Sequence, residues 1–226
     1  MIRLAVLISG RGSNMLCLAD AIKNYKINAT IAIVISNRDC DGIALAAARG
    51  FATKVVKRND FDDSLAHDAT IASIIEDCHA DYVFLAGYMA ILGSVFVDQF
   101  AGKLINIHPS LLPAFKGLDT HQRAIDAGVK THGASIHLVN GALDDGPLIL
   151  QASLAVAETD TVKVLADRVL QLEHQIYPFV LLSLAAQNVT LLADGVIWRA
   201  KTLAGAPAEM QDVLAPCVIW PKCDFA

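Results

Sequence analysis

Basic residues are few in this chain and nowhere grouped. With 18 Lys and Arg against 23 Asp and Glu the formal net charge is -5, which argues against a protein whose affinity comes from neutralising many backbone phosphates, as nucleic-acid binding requires. A small anionic ligand stays open, because one phosphate needs only a local cradle of donors. Long apolar runs are missing too. Residues 4–8 are stopped by Ser9-Gly10-Arg11-Gly12, and 82–86 and 180–186 are equally short, far from the roughly 20 residues of a spanning helix. The opening run also lacks the build of a signal peptide, so a soluble, cytoplasmic protein is expected. No Cys-x-x-Cys pair occurs. The five cysteines, Cys17, Cys40, Cys78, Cys217 and Cys223, are odd in number and scattered, and read as reduced, mostly buried thiols. The seven histidines form no convincing ligand cluster: His132 and His137 stand five apart across Gly133. No metal is assigned. Repeats, low-complexity tracts and linkers are absent as well.

What is present is core. Hydrophobic residues make up 54% of 226 and charged residues 18%, enough for one sizeable folded domain over residues 1–226. Strand-like and helix-like runs alternate, which predicts an α/β fold of Rossmann-like type: a mostly parallel central sheet, helices on both faces, and an antiparallel C-terminal part. Strands are expected at 3–9, 30–36, 53–56, 82–86 and 104–108. Helices are expected at 14–24, at 42–49 closed by Gly50, and at 60–77 with Phe61, Leu65, Ile71, Ile74 and Ile75 toward the core. Residues 89–100 read as helix or turn. After Pro113 a helix near 120–127 leads to runs 134–139 and 148–155 that could pair antiparallel. A long helix at 161–184 should be interrupted or kinked near Pro178, and 188–226 holds a short strand and a proline-containing tail.

Two segments carry chemistry. Ser9-Gly10-Arg11-Gly12-Ser13-Asn14 follows a strand and opens a helix, where backbone N–H groups and the helix dipole converge on an anion. The dinucleotide fingerprint would place a glycine at Met15 and an acidic residue near Asn37 and Arg38, so a nicotinamide cofactor is disfavoured. The plainer reading is a tight turn with Ser13 or Asn14 capping the helix, and the two stand about even on this segment alone.

The second segment is Ile105-Asn106-Ile107-His108-Pro109-Ser110-Leu111-Leu112-Pro113. Asn106 and His108, two apart at a strand end, leave the sheet on one face, and the carboxyl edge of a parallel sheet is where α/β proteins bind ligands. An amide donor beside an imidazole suits acyl-type transfer: the amide stabilises an oxyanion and the imidazole moves a proton. Taken alone, an Asn-x-His is more often a strand end bonding its own loop. Leu143-Asp144-Asp145-Gly146-Pro147 offers a carboxylate that would hold the imidazolium, though Asp-Asp-Gly-Pro is also good turn chemistry, and spacing cannot bring Asp144 to His108.

These stretches, with Leu85-Ala86-Gly87-Tyr88-Met89, His132-Gly133-Ala134-Ser135 and Glu173-His174-Gln175-Ile176-Tyr177-Pro178, resemble the phosphoribosylglycinamide formyltransferase family from Leu4 to about Pro178. The resemblance implies direct formyl transfer from 10-formyltetrahydrofolate, the cosubstrate, to the amine of glycinamide ribonucleotide in purine biosynthesis. It makes His108 the general acid/base, Asn106 the oxyanion donor, and Asp144 the partner that supports the imidazolium and orients a water. The acceptor's phosphate falls to Gly12, Ser13 and Asn14, with Glu173 near the ribose. The folate falls to Met89, Ala90, Ile91 and Leu92, to Asn140, Gly141, Ala142, Leu143 and Asp144, to Asn106, and to Ser64. The halves near 1–100 and 101–190 are thereby expected to serve phosphate binding and folate with catalysis respectively, followed by a short tail. Many relatives carry arginines at Ser64 and Ala90, which approach the folate's glutamate tail; here the tail is expected to be bound weakly or held by other cations such as Lys57 or Arg58. Leu170 replaces a glutamine and Asp119 a histidine of some relatives. Partners are expected to be small molecules, without nucleic acid or membrane, and a homodimer is left open.

Three other readings share part of this pattern. Methionyl-tRNA formyltransferase would be expected to continue into a tRNA-binding domain. Formyltetrahydrofolate deformylase usually carries an N-terminal regulatory domain ahead of the fold that here starts near Arg3. A non-catalytic folate or nucleotide-binding module would have no use for Asn106, His108 and Asp144 together.

Overall fold

Strand β1 (Ile2–Ile8) is aliphatic after Arg3 and buried from Leu4 onward, as a strand covered on both faces must be. The computed structural model, which describes residues 1–221, divides into two compact units, Met1–Asn106 and the chain from Ile107 onward. In the first, β1 pairs in parallel with β2 (Ala29–Ser36) on one side and β4 (Tyr82–Leu85) on the other. Strand β3 (Thr53–Val55) pairs with β2, and β5 (Leu104–His108) with β4. The order β3-β2-β1-β4-β5 reverses direction between β1 and β4. Helices α1 (Ser13–Asn24) and α2 (Asp41–Ala48) therefore serve the outward run, and α3 (Ser64–Asp77) and α4 (Ser94–Gln99) the return. Right-handed crossovers put the two pairs on opposite faces and leave a crevice at the carboxyl ends of β1 and β4.

Beyond Ile107 the pairing turns antiparallel. Helix α5 (Thr120–Asp126) precedes β6 (Thr131–Leu138) and β7 (Leu148–Ala155), which pair antiparallel as expected. Helix α6 (Val162–Ala185) packs on both strands. A hairpin of β8 (Val189–Leu192) and β9 (Gly195–Trp198), then α7 (Ala208–Leu214) and β10 (Val218–Ile219), complete the unit, with β10 pairing to β7. No helix among the described residues is long and apolar enough to cross a membrane.

Four expectations need correction. Helix α3 starts at Ser64, because the Asp63 carboxylate accepts the Ala66 N–H at 2.8 Å and so caps the helix there; Arg58–Asp60 form a separate 3-10 turn. Its buried face holds Ile71 and Ile75 but also His67 and Asp68, while Leu65 is 58% exposed. Helix α6 continues through Pro178, where Tyr177, Pro178, Phe179, Val180 and Leu181 are all buried; packing there outweighs the roughly 3 kcal/mol cost of an internal proline. Residues 189–221 hold a hairpin, a helix and a short strand rather than mainly a tail, and they bury Trp198, whose indole N–H donates to the Ile149 carbonyl at 2.9 Å. Cys17, Cys40, Cys78 and Cys217 are half-buried thiols; burial, with Asp20 second, pushes the Cys17 thiol up to about 12. Cys223 lies outside the described residues.

Candidate active site

The turn after β1 is built from backbone. Gly12 takes the left-handed conformation, φ 74°, as the N-cap of α1 and makes no side-chain cap. The capping expected of Ser13 or Asn14 is thus not what starts the helix; its first-turn N–H groups remain a donor cluster facing the turn. Gly42 of α2 donates its N–H to the Gly10 carbonyl at 3.0 Å, and a Cβ on Gly42 would stand 2.6 Å from that oxygen. Ser9 joins the turn to the neighbouring loop: its hydroxyl donates to the Asn37 side-chain oxygen and accepts the Met89 N–H, each at 2.7 Å. Arg38 donates to the Ser9 carbonyl at 2.6 Å. Asn37 and Arg38, where a dinucleotide fold would hold an acidic residue, brace this turn instead. In the adjoining loop Met89 and Ile91 are 65% and 87% exposed, Ala90 and Leu92 are half-buried, and Ser64 is exposed at the first turn of α3.

In the second unit the end of β5 meets the turn between β6 and β7. His108 is buried. Its Nε2 lies 3.0 Å from the Phe115 carbonyl, to which it can only donate, and its Nδ1 lies 3.3 Å from Asp144 Oδ2. The same Oδ2 accepts the Gly117 N–H at 2.9 Å, and Oδ1 faces His137 Nε2 at 3.7 Å. Asp144 has φ 47°, and a Cβ on Gly146 would come 1.8 Å from the Leu138 carbonyl, so only glycine lets the turn close this tightly. Asn140 braces it from inside, donating to the Asp145 carbonyl at 3.2 Å and accepting the Ala142 N–H at 3.1 Å. Lys116 pairs with Asp145 across the adjoining loop. Asn106, half-buried, sits two residues before His108 on the same strand, so the strand's alternation directs both side chains to one face.

The surrounding histidines are held uncharged. Burial pushes His132 down to about 4, with the neighbouring His121 and His108 adding to it. Burial likewise lowers His121 and His137, in His137 against the opposing pull of the Leu138 carbonyl and Asp144. His121 Nδ1 and His132 Nε2 share one hydrogen bond of 3.2 Å. These three are neutral at pH 7. The loop after His108 is pinned by buried Ser135: its hydroxyl donates to the Ser110 carbonyl at 2.6 Å and accepts from the Leu112 N–H at 3.0 Å and from Gln151 at 2.7 Å. Glu173 is buried on α6. Leu143 is 62% exposed, with Gly141 and Ala142 exposed beside it. Among the described residues no group of three or more His, Cys, Asp and Glu side chains is arranged for a metal ion.

The formyl transferase family matches residues 2–181. A phosphoribosylglycinamide formyltransferase of Escherichia coli K12 is 44% identical over 179 residues, 79% of this chain and 84% of that protein. The chain belongs to the phosphoribosylglycinamide formyltransferase family. A Haemophilus influenzae member is 42% identical over 182 residues, 80% of this chain and 86% of its own length. The solved Coxiella burnetii member superposes with a TM-score of 0.84 at 40% identity, covering 90% of this chain and 96% of that one. The family match ends inside α6, so the hairpin, α7 and β10 lie beyond it.

Sequence reasoning missed several residues that this geometry brings into play. His137 Nε2 lies 3.7 Å from the Asp144 carboxylate, but strand alternation alone does not say what lies opposite it. Phe115 and Gly117 act through backbone atoms, which side-chain chemistry does not signal. The buried pair His67 and Asp68 was hidden by reading α3 for apolar residues only.

Proposed function

We propose that the protein transfers the formyl group of 10-formyltetrahydrofolate to the amine of glycinamide ribonucleotide, a step of purine biosynthesis, working in the cytosol on small molecules. The observation that carries this reading is His108 at 3.3 Å from Asp144, one alternate position along the strand from an amide.

The amine attacks the formyl carbon directly. Asn106 donates to the oxygen as the carbonyl becomes a tetrahedral oxyanion, and such a donor is worth about 100- to 1,000-fold in rate. His108 relays the proton from the attacking amine to the departing folate nitrogen; Asp144 supports the imidazolium and orients a water for that transfer. The reaction forms one C–N bond and breaks another, so neither oxidant nor covalent enzyme intermediate enters. Gly12, Ser13 and Asn14 take the acceptor's phosphate, supported by the glycine N-cap that opens α1, and Glu173 serves the ribose. Backbone groups of Met89, Ala90, Ile91 and Leu92, and of Asn140, Gly141, Ala142, Leu143 and Asp144, read the pterin. Met89 and Ile91 in the first unit, and Leu143 in the second, each expose an apolar side chain, as residues that meet an aromatic ligand would. The N-terminal half thus serves mainly the phosphate and the C-terminal half mainly folate and catalysis.

The test is to mix the protein with 10-formyltetrahydrofolate, with and without glycinamide ribonucleotide, following folate absorbance and released formate. Acceptor-dependent conversion without formate is expected. Acceptor-independent formate release would make the protein a deformylase, and no conversion in either mixture would make it a binding module.

A further inference from the structure

Buried at the first turns of α3 is an ionisable pair that the chemistry above does not use. His67 is 1% exposed and Asp68 4%. Each ring nitrogen of His67 faces an acceptor: Nδ1 lies 3.0 Å from Asp68 Oδ1, and Nε2 lies 3.0 Å from the Val56 carbonyl. A carbonyl can only accept, so Nε2 carries a hydrogen. The contact at Nδ1 then requires a proton held between Nδ1 and Oδ1, since two lone pairs would otherwise face each other in a buried site. The second carboxylate oxygen, Oδ2, accepts the N–H of Gly93 at 2.8 Å.

Gly93 closes the loop that begins after β4. At the loop's entry the Ser9 N–H donates to the Gly87 carbonyl at 3.1 Å, and the Met89 N–H donates to the Ser9 hydroxyl at 2.7 Å. The four residues Met89 to Leu92 are therefore suspended between a serine anchor and a carboxylate anchor. Among the described residues the buried Tyr88 hydroxyl has no hydrogen-bond partner, and burial, then the Asp68 carboxylate, pushes its ionisation up. A carboxylate taken out of water to hold a single loop N–H is costly unless paired; His67 is the partner that makes the anchor tolerable.

We infer that His67 and Asp68 are positioning residues that fix Met89, Ala90, Ile91 and Leu92 for the folate, a reading that rests on the function proposed above. Neither touches the reacting atoms. They set the geometry of backbone groups that must meet the polar edge of a planar ring.

The test uses Asp68→Ala, Asp68→Asn and His67→Leu in the full-length protein, with amide hydrogen exchange at Gly93 and steady-state kinetics for both substrates. Asp68→Ala removes the anchor: Gly93 exchange should accelerate, and the folate KM should rise about tenfold or more, with the acceptor KM nearly unchanged. Asp68→Asn should restore most of both readouts, because its carbonyl accepts the Gly93 N–H while its amide donates to Nδ1 of a neutral His67. His67→Leu strips the carboxylate of its partner and should move both readouts in the direction of Asp68→Ala. A purely structural role would raise both KM values together and would not be rescued by asparagine. Unchanged exchange at Gly93 overturns the anchor; accelerated exchange with an unchanged folate KM overturns the positioning role. Lack of folate turnover in the unmodified protein overturns the function proposed above and the folate assignment with it, while the exchange data still decide whether Asp68 anchors the loop.

Discussion

At the scale of single residues, His108 has an acceptor at each ring nitrogen, the Phe115 carbonyl and Asp144, while burial keeps His121, His132 and His137 neutral. His108→Ala should lower kcat by about 100- to 10,000-fold, the range of general acid-base catalysis, while folate binding measured by fluorescence persists; retained turnover would remove His108 from the reaction. The neutral histidines also set a pH dependence. His132 is held down to about 4 when folded, against an ordinary 6.5, so between those values the unfolded chain binds more protons than the folded one. Stability must then fall as pH drops from about 6.5 toward about 4 and level off below. Urea denaturation at pH 7, 5.5 and 4.5 should show this slope, and His132→Gln should flatten it; an unchanged slope would assign the effect to other groups.

At the scale of elements, the site depends on turns more than on the strands they join. Ser135 on β6 uses its one hydrogen and accepts two more, binding the Ser110 to Leu112 loop to the sheet. Ser135→Ala strands the Leu112 N–H in a buried place, and the cost should be about 1–3 kcal/mol by chemical denaturation. The glycines act differently. Gly12→Ala asks a Cβ to sit 3.0 Å from Gly42 Cα at φ 74°, so the turn after β1 should shift and the acceptor KM rise, with the folate KM little affected; equal changes in both would argue against a phosphate site at this turn. Strand bounds were readable because aliphatic runs ended at polar or glycine residues, and Leu104–His108 was read correctly at both ends. The start of α3 was not, since periodicity extends a helix through any apolar residue in phase, while the hydrogen bond from Ala66 to Asp63 decides where it begins.

At the scale of the whole molecule, residues 189–221, beyond the family match, are tied into the second unit's core. Trp198, 2% exposed, stacks on Phe179 at 6.1 Å and meets Trp220 edge-on at 4.9 Å, and β10 covers an edge of β7. Trp198→Ala should therefore cost about 3–5 kcal/mol, as large-to-small core changes do, with a fall in thermal midpoint; a midpoint within a degree of the parent would mean the hairpin is dispensable. Composition and alternation by themselves determined the α/β class, the parallel first sheet, the antiparallel pair β6 and β7, and the residue types at the strand end, because those follow from local periodicity and from side-chain chemistry carried on a single strand. Only the tertiary structure decided that Asp144 meets His108, that Ser9 and Asp68 hold the two ends of one loop, and that Pro178 leaves α6 intact. Those outcomes depend on contacts made by residues far apart in the chain, whose distances local sequence spacing does not encode.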